Sequence, residues 1–226
     1  MISHKHKCIF IHIPKTAGTS INSFFFPEVT FHFKNPDYER LFGYCPKRKL
    51  HMQHATSKQL IETGLVTEKQ WGSYFKFTFV RNPWDRAYSD YKWVKGFSGV
   101  DGNFKSFINA TGNFKKILRD NSENTYLGDH LLSQSSFFDK EGLYVPDFIG
   151  RFENFSDDIK TIITKLKIEK EFDVFKNKGL RKKDYSRFYT NSRKNLIDIK
   201  YCEDIVRFDY SFVDMRTGVN LIKKFL

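Results

Sequence analysis

Apolar residues along this chain are gathered into short runs separated by polar turn-formers. The first run, 9–13, is interrupted only by His12 and is β-branched and aromatic enough for a buried strand. It ends at Pro14, and a short Lys/Gly/Thr loop leads to Thr19-Ser20-Ile21, which can open a helix. Residues 75–80 read as a second strand, followed at once by Arg81-Asn82 and by Pro83, which suits the first turn of a helix. Residues 147–152 read as a third core strand. Ser156 then caps a helix with Asp157 and Asp158 at its positive end and Ile159, Ile162, Ile163 and Leu166 as its buried stripe. Residues 27–50 read as a long irregular connection that helps wall a site, and 55–63 as a short helix. In 98–142 the weak periodicity of Phe104, Phe107, Ile108, Leu127, Leu131 and Leu132 predicts short helices joined by polar turns. Asn191 opens a last long helix with Leu196, Ile199, Cys202 and Val206 facing inward. Strands alternating with helices predict an α/β fold whose mostly parallel sheet is covered by helices.

Two of these junctions carry chemistry. At the first, the helix that begins near Thr19 presents N–H groups with no intrahelical partner, and Lys15 adds a full positive charge, so the loop suits an anion. The lysine precedes the glycine, contrary to the G-x-x-x-x-G-K-[ST] pattern, which disfavours an ordinary ATPase. A strand followed by a plain surface turn is the competing reading. At the second junction Arg81 stands at the carboxyl end of a strand, with Ser89 about two helical turns beyond it. A guanidinium fork and a hydroxyl there suit a second phosphate. The competing reading is an Arg–Asp surface network, with Tyr88 and Trp93 assigned to the core.

Composition sharpens this picture. A length of 226 residues fits one domain, 1–226, with a substantial core. The formal net charge of +12 favours anionic ligands, and 47–49, 115–116 and 181–183 are local basic clusters. Cys8, Cys45 and Cys202 form no paired motif, so neither a disulfide framework nor a zinc knuckle is indicated. No stretch approaches the roughly 20 apolar residues of a spanning helix, and the apolar run after the basic start is too short for a signal segment.

The segments His12-Ile13-Pro14-Lys15-Thr16-Ala17-Gly18-Thr19-Ser20 and Phe79-Val80-Arg81-Asn82-Pro83-Trp84-Asp85-Arg86-Ala87-Tyr88-Ser89 resemble the two signatures of a sulfotransferase group. That group contains the heparan sulfate 2-O-sulfotransferases, the chondroitin sulfotransferases and many bacterial relatives. The resemblance extends more weakly to Gly150-Arg151-Phe152-Glu153-Asn154-Phe155 and to the tail around Tyr201, Asp204, Phe208 and Tyr210. It implies a P-loop-like, three-layer domain that uses 3′-phosphoadenosine 5′-phosphosulfate as donor. Pro14, Lys15, Thr16, Ala17, Gly18, Thr19 and Ser20 would then grip the 5′-phosphosulfate, and Arg81 with Ser89 the 3′-phosphate. Arg181 and Lys182, in a basic loop with Lys183 and Tyr185, would close over the nucleotide.

Sulfuryl transfer also needs a proton acceptor for the attacking hydroxyl and a cation at the leaving oxygen. Lys15 suits the second task. For the first, Leu50-His51-Met52-Gln53-His54-Ala55-Thr56-Ser57 is similar to the histidine segment of the uronyl 2-O-sulfotransferase branch, which makes His54 the candidate base and His51 the second choice. His12 is read as supporting the loop. No metal is required by this mechanism, and no nucleic acid is implied. The acceptor is a hydroxyl, taken to be on a carbohydrate, and the basic charge tilts the choice toward an acidic glycan. Animal members of the group are Golgi-anchored, so the chain reads as a cytoplasmic bacterial relative or a lumenal domain trimmed of its anchor. A variant kinase is the alternative enzyme, but it lacks a lysine directly before Thr19 and a clear magnesium-binding acid. A non-enzymatic basic nucleotide- or nucleic-acid-binding module would leave the paired anion motifs unexplained.

Overall fold

The strand β1 (Ile2–Ser3) runs antiparallel to β2 (Cys8–Ile11), which is followed by helix α1 (Gly18–Phe25). These elements belong to the computed structural model, which describes residues 1–32, 35–174 and 184–225. A small antiparallel pair, β3 (Tyr44–Cys45) and β4 (Leu50–His51), lies within the connection that the sequence marks as irregular. Helices α2 (Ser57–Glu62) and α3 (Glu68–Ser73) follow, each opened by a capping box, Thr56 with Gln59 and Thr67 with Gln70. The chain then returns as β5 (Phe75–Val80), parallel to β2, with Cys8 opposite Phe75 and Ile11 opposite Thr78.

Helix α4 (Pro83–Ser98) starts where the sequence places it, with Pro83 in the first turn and the Asn82 side chain accepting from the Asp85 N–H. Short helices α5 (Phe104–Ile108) and α6 (Lys115–Arg119) and several 3-10 turns fill the middle region. Strand β6 (Phe148–Arg151) pairs in parallel with β5, and α7 (Phe155–Lys165), α8 (Asn191–Lys200) and α9 (Cys202–Arg207) complete the chain. The resulting sheet order is β1-β2-β5-β6, three of its strands mutually parallel, in an α/β fold.

Side-chain alternation explains why both sheet faces are covered. Phe10, Phe77 and Phe79 turn to one side, against Ile21, Phe24 and Phe25 of α1 and Ile159, Ile162 and Ile163 of α7. Ile9, Ile11 and Val80 turn to the other, into a cluster with Leu60, Trp71, Met52, Phe137 and Phe208. A third cluster joins α4 to α5, α6 and α8 through Trp84, Val94, Phe107, Leu118 and Ile197. Among the described residues no helix is long and apolar enough to cross a membrane.

Three expectations are corrected. Strand β6 is an edge strand, with Ile149 41% exposed. Ser156 lies inside α7, whose N-cap is Asn154. The last long helix is two helices broken at Tyr201, and Ile199, Cys202 and Val206 are exposed while Ile197, Tyr201, Asp204 and Phe208 face inward. This second set also has helical spacing, but it includes a carboxylate and so escapes a count of apolar positions. Asp204 is fully buried because its two oxygens accept from the Gln134 and Ser135 backbone N–H groups, at 2.8 and 2.7 Å.

Two substitutions test this face. Ile197→Ala should lower unfolding stability by about 2–5 kcal/mol through lost burial and a residual cavity. Ile199→Ala should stay within about 0.5 kcal/mol of the parent. Urea unfolding of the two variants measures the difference, and the reverse ranking would restore the sequence-derived register.

Candidate active site

Between β2 and α1 the backbone reverses sign twice. Lys15 (φ 67°) and Ala17 (φ 73°) are left-handed, and Thr16 between them is not. Neither is a glycine, so each position stores on the order of 1–3 kcal/mol of strain and must be held by neighbours. The Thr16 hydroxyl donates to the Ile13 carbonyl at 2.8 Å, and Arg81 Nη1 donates to the Lys15 carbonyl at 2.8 Å. Alternation of this kind turns successive N–H groups toward one concavity, an arrangement suited to anions. The loop feeds α1, which has no side-chain cap and no acid in its first turn. Nothing in that turn therefore opposes a negative ligand.

Gly18 opens α1 because His12 occupies the space of a side chain. A Cβ built at Gly18 would lie 1.9 Å from His12 Nε2, inside any allowed contact. His12 also stacks on Phe10 at 5.1 Å between centroids, and its Nδ1 is buried without a hydrogen-bond partner among the described residues. Burial, together with the positive charges of its surroundings, holds the His12 pKa well below the ordinary histidine value. The ring is thus a neutral wedge beneath the loop.

Arg81, at the end of β5, is a strut as well as a cation. Its Nε and Nη2 reach Asp85 Oδ2 at 2.8 and 2.7 Å, and its guanidinium lies 4.1 Å from the Phe152 ring centroid. Its backbone N–H donates to Gln134 Oε1, and its carbonyl accepts from Gln134 Nε2, both at 2.8 Å, so one buried amide replaces a neighbouring strand. The side chain is 5% exposed. One turn along α4 from Asp85, Ser89 is half-buried, and Trp93 follows one turn further. The sequence places Trp93 in the core, and its indole packs against the α4 cluster while also forming a half-buried wall of the cleft, with Lys15 Nζ 5.1 Å from the ring centroid. Tyr88 is half-buried and stacks on Phe188 at 4.5 Å.

Three histidine rings meet beside the loop. His54 lies 4.6 Å from His12 and 5.4 Å from His130, centroid to centroid. His54 Nδ1 stands 3.1 Å from the His12 carbonyl oxygen. A carbonyl only accepts, so Nδ1 carries the proton in the neutral ring and Nε2 carries the lone pair. Burial and then the neighbouring His12 and His130 push the His54 pKa well below its ordinary value. His51 is buried near Tyr44, 5.3 Å between rings, and burial lowers its pKa while Asp129 opposes that shift.

An open cleft of about 1430 Å³ collects these groups. Lys15, Ala17, Gly18, Thr19 and Ser20 line it on the loop side. Arg81, Ser89, His51 and His54 line it as well. Pro14 and Thr16, in the same loop, are buried and do not line the cleft, and Arg181 and Lys182 lie outside the described residues. Several cleft groups were not singled out from sequence, namely His130, Asp129 and the buried Asp90 and Arg86 behind them. The Arg86/Asp90 spacing of four residues and the Asp129-His130 dipeptide were the available signals, and neither exceeds ordinary helix and turn composition. Among the described residues no group of three or more histidine, cysteine or acidic side chains is placed to hold a metal ion.

The sequence model of the sulfotransferase family matches residues 1–211. A protein of Archaeoglobus fulgidus described only as uncharacterized is 31% identical over 111 residues, an alignment that covers 48% of this chain and 81% of that one. No solved structure matches.

The wedge and the buried imidazoles each have a measurable consequence. Gly18→Ala should cost about 1–3 kcal/mol by overpacking against His12. In a double-mutant cycle with His12→Ala, most of that cost should disappear, which separates a steric clash from a helix-propensity effect. The His54 pKa is depressed in the folded state relative to about 6.5 in the unfolded chain, so its contribution is fully present above that pH and is lost as pH falls toward the folded value. Thermal unfolding between pH 7.5 and 5 should therefore show a smaller loss of stability on acidification for His54→Gln than for the parent. An equal loss would show that His54 does not titrate as described.

Proposed function

Because the chain belongs to the sulfotransferase family, we propose that it moves a sulfuryl group from 3′-phosphoadenosine 5′-phosphosulfate to a hydroxyl of a carbohydrate, within one domain spanning 1–226. The observation that carries this reading is the shared cleft, in which a strained, cation-bearing loop, the end of β5 and four imidazoles face one volume. The loop and the start of α1 act as a P-loop-like cradle for the 5′-phosphosulfate, with backbone N–H groups from 15–19 and the Lys15 ammonium supplying the positive field. That end of the cleft fits such a group, since the start of α1 carries no side-chain cap and its first turn holds no acid.

Ser89 faces the 3′-phosphate. Arg81 serves the same phosphate chiefly by holding the Lys15 carbonyl and Asp85, and by lending its charge from behind them. As the bridging oxygen leaves, Lys15 neutralises the charge it gains. A cleft imidazole takes the hydroxyl proton, for which the sequence motif favours His54 and then His51. The aromatic walls, Trp93 and Phe97 among them, suit the apolar faces of sugar rings, and the net charge of +12 favours an acidic glycan.

Thermal shift tests the donor assignment. Adenosine 3′,5′-bisphosphate should raise Tm more than ATP with magnesium does, by the linkage of ligand binding to stability. Ser89→Ala should weaken the bisphosphate by about 1.5–3 kcal/mol, the range for a hydrogen bond to a charged group, and leave adenosine 5′-phosphosulfate unchanged. Equal weakening of both nucleotides, or a preference for ATP, would sink the donor assignment. Incubation with sulfur-labelled donor and a panel of neutral and acidic glycans identifies the acceptor.

A further inference from the structure

The cleft contains an imidazole better mounted for proton transfer than either histidine of the sequence motif. His130 sits in the 3-10 turn Gly128–Leu131, and its carbonyl accepts from Arg86 Nη2 at 3.0 Å. Its ring lies parallel to the Trp93 indole, 4.6 Å between centroids and 9° between planes. Nδ1 is 2.6 Å from Oδ1 of Asp90, a carboxylate only 1% exposed. A carboxylate only accepts, so Nδ1 carries the proton and Nε2 keeps the lone pair. Backbone, indole and carboxylate therefore fix both the ring plane and the tautomer.

The contrast with His54 is one of charge. An imidazole that takes a proton becomes a cation, and at His130 the buried Asp90 carboxylate is in direct contact to share that charge. At His54 the corresponding partner is a peptide carbonyl, and the surrounding imidazoles oppose a gain of charge. Trp93 also ties the two ends of the reaction together, because Lys15 Nζ and the His130 ring both lie against the same indole.

We propose that His130, oriented by Asp90, is the catalytic residue that takes the acceptor proton. The inference rests on the sulfuryl-transfer reading above. As the acceptor O–H proton passes to His130 Nε2, the acceptor oxygen forms its bond to sulfur. The bond from sulfur to the bridging oxygen of the 5′-phosphate breaks, and its electron pair stays on that oxygen opposite Lys15. The products are the sulfated acceptor and adenosine 3′,5′-bisphosphate, and the proton on His130 then leaves to solvent. His54 Nε2 can only accept, and a hydroxyl has one proton to give, so His54 is matched to a second hydroxyl of the acceptor. Two imidazoles side by side thus suit a sugar that presents neighbouring hydroxyls. Asp90 is a positioning residue.

The test compares His130→Ala, His130→Gln, Asp90→Asn and His54→Ala, each first shown to bind adenosine 3′,5′-bisphosphate by thermal shift. Turnover is read as release of that nucleotide from the sulfonated donor, with the glycan found by the labelled-donor panel or with water as acceptor. His130→Ala should lose 10²- to 10⁴-fold in kcat with donor affinity within about threefold of the parent, and free imidazole should restore part of the loss. His130→Gln fills the same space and should be as slow without rescue. Asp90→Asn should lower kcat and displace the acidic limb of the pH profile. His54→Ala should act more on the acceptor KM than on kcat.

The ionisable groups that share this environment are Asp90, Arg86, Asp129, His12, His51, His54 and Lys15, so the limb is assigned by its absence in the His130 variants. Near-parental kcat in His130→Ala, or a loss that imidazole does not restore, overturns the proposal. If the parent chain does not bind the bisphosphate, the donor reading fails first. If it binds but turns over neither glycan nor water, both fall.

Discussion

The buried guanidinium of Arg86 is the contact on which the rest of this site depends. It is 2% exposed, donates to the His130 and Leu132 carbonyls at 3.0 and 2.7 Å, and lies 3.5 Å from Asp90 and 4.0 Å from Asp204. A charge this deep is tolerable because Nη2 is hydrogen-bonded and two carboxylates lie close by, although Nε itself makes no hydrogen bond among the described residues. Removing one partner of such a set typically costs about 3–5 kcal/mol. Here the partners come from three separate stretches of chain. Helix α4 supplies Asp90, the middle region supplies the two carbonyls, and α9 supplies Asp204. Docking those stretches brings the His130 turn over α4, which is what sets an imidazole against Asp90 and Trp93.

From Asp204 a second line of hydrogen bonds leads to the loop. Asp204 orders the backbone at Gln134, Gln134 closes both backbone groups of Arg81, and Arg81 holds the Lys15 carbonyl. Left-handed backbone at Lys15 and Ala17 is costly in an isolated peptide, and in the folded chain this line together with the Thr16–Ile13 bond offsets the cost. Precision in the loop is thus imposed from the opposite end of the sequence. Helix α4 joins the two lines, since Asp85 engages Arg81, Ser89 and Trp93 face the cleft, and Arg86 and Asp90 point inward.

How much of this could be read in advance differs by element. Strands β2 and β5 and the starts of α1 and α4 were legible because each depends on local signals, an apolar run followed by proline, asparagine or glycine. Strand β6 was legible as a strand but not as an edge, because exposure of Ile149 depends on what fails to pack beside it. The C-terminal helices were assigned the wrong face. Their buried stripe includes Asp204, and a carboxylate counts as buried only when its distant partners, Gln134 and Ser135, are known. Trp93 was read only in part for the converse reason, a large aromatic residue that packs against the core serving also as a wall of the cleft.

The sequence by itself determined the α/β alternation, the strand–loop–helix order at both junctions, and a family resemblance that the match over 1–211 supports. Those properties follow from spacing within a dozen residues, where propensity, capping and turn chemistry act. Only the tertiary structure decided which histidines share a cleft and which nitrogen of each is held. It also decided that Gly18 exists to admit His12 and that Arg81 is a strut. Apart from the Gly18–His12 contact, six residues apart, these rest on contacts between residues far apart in the chain. Their geometry follows from how helices and strands close over a common core, and no local pattern encodes it.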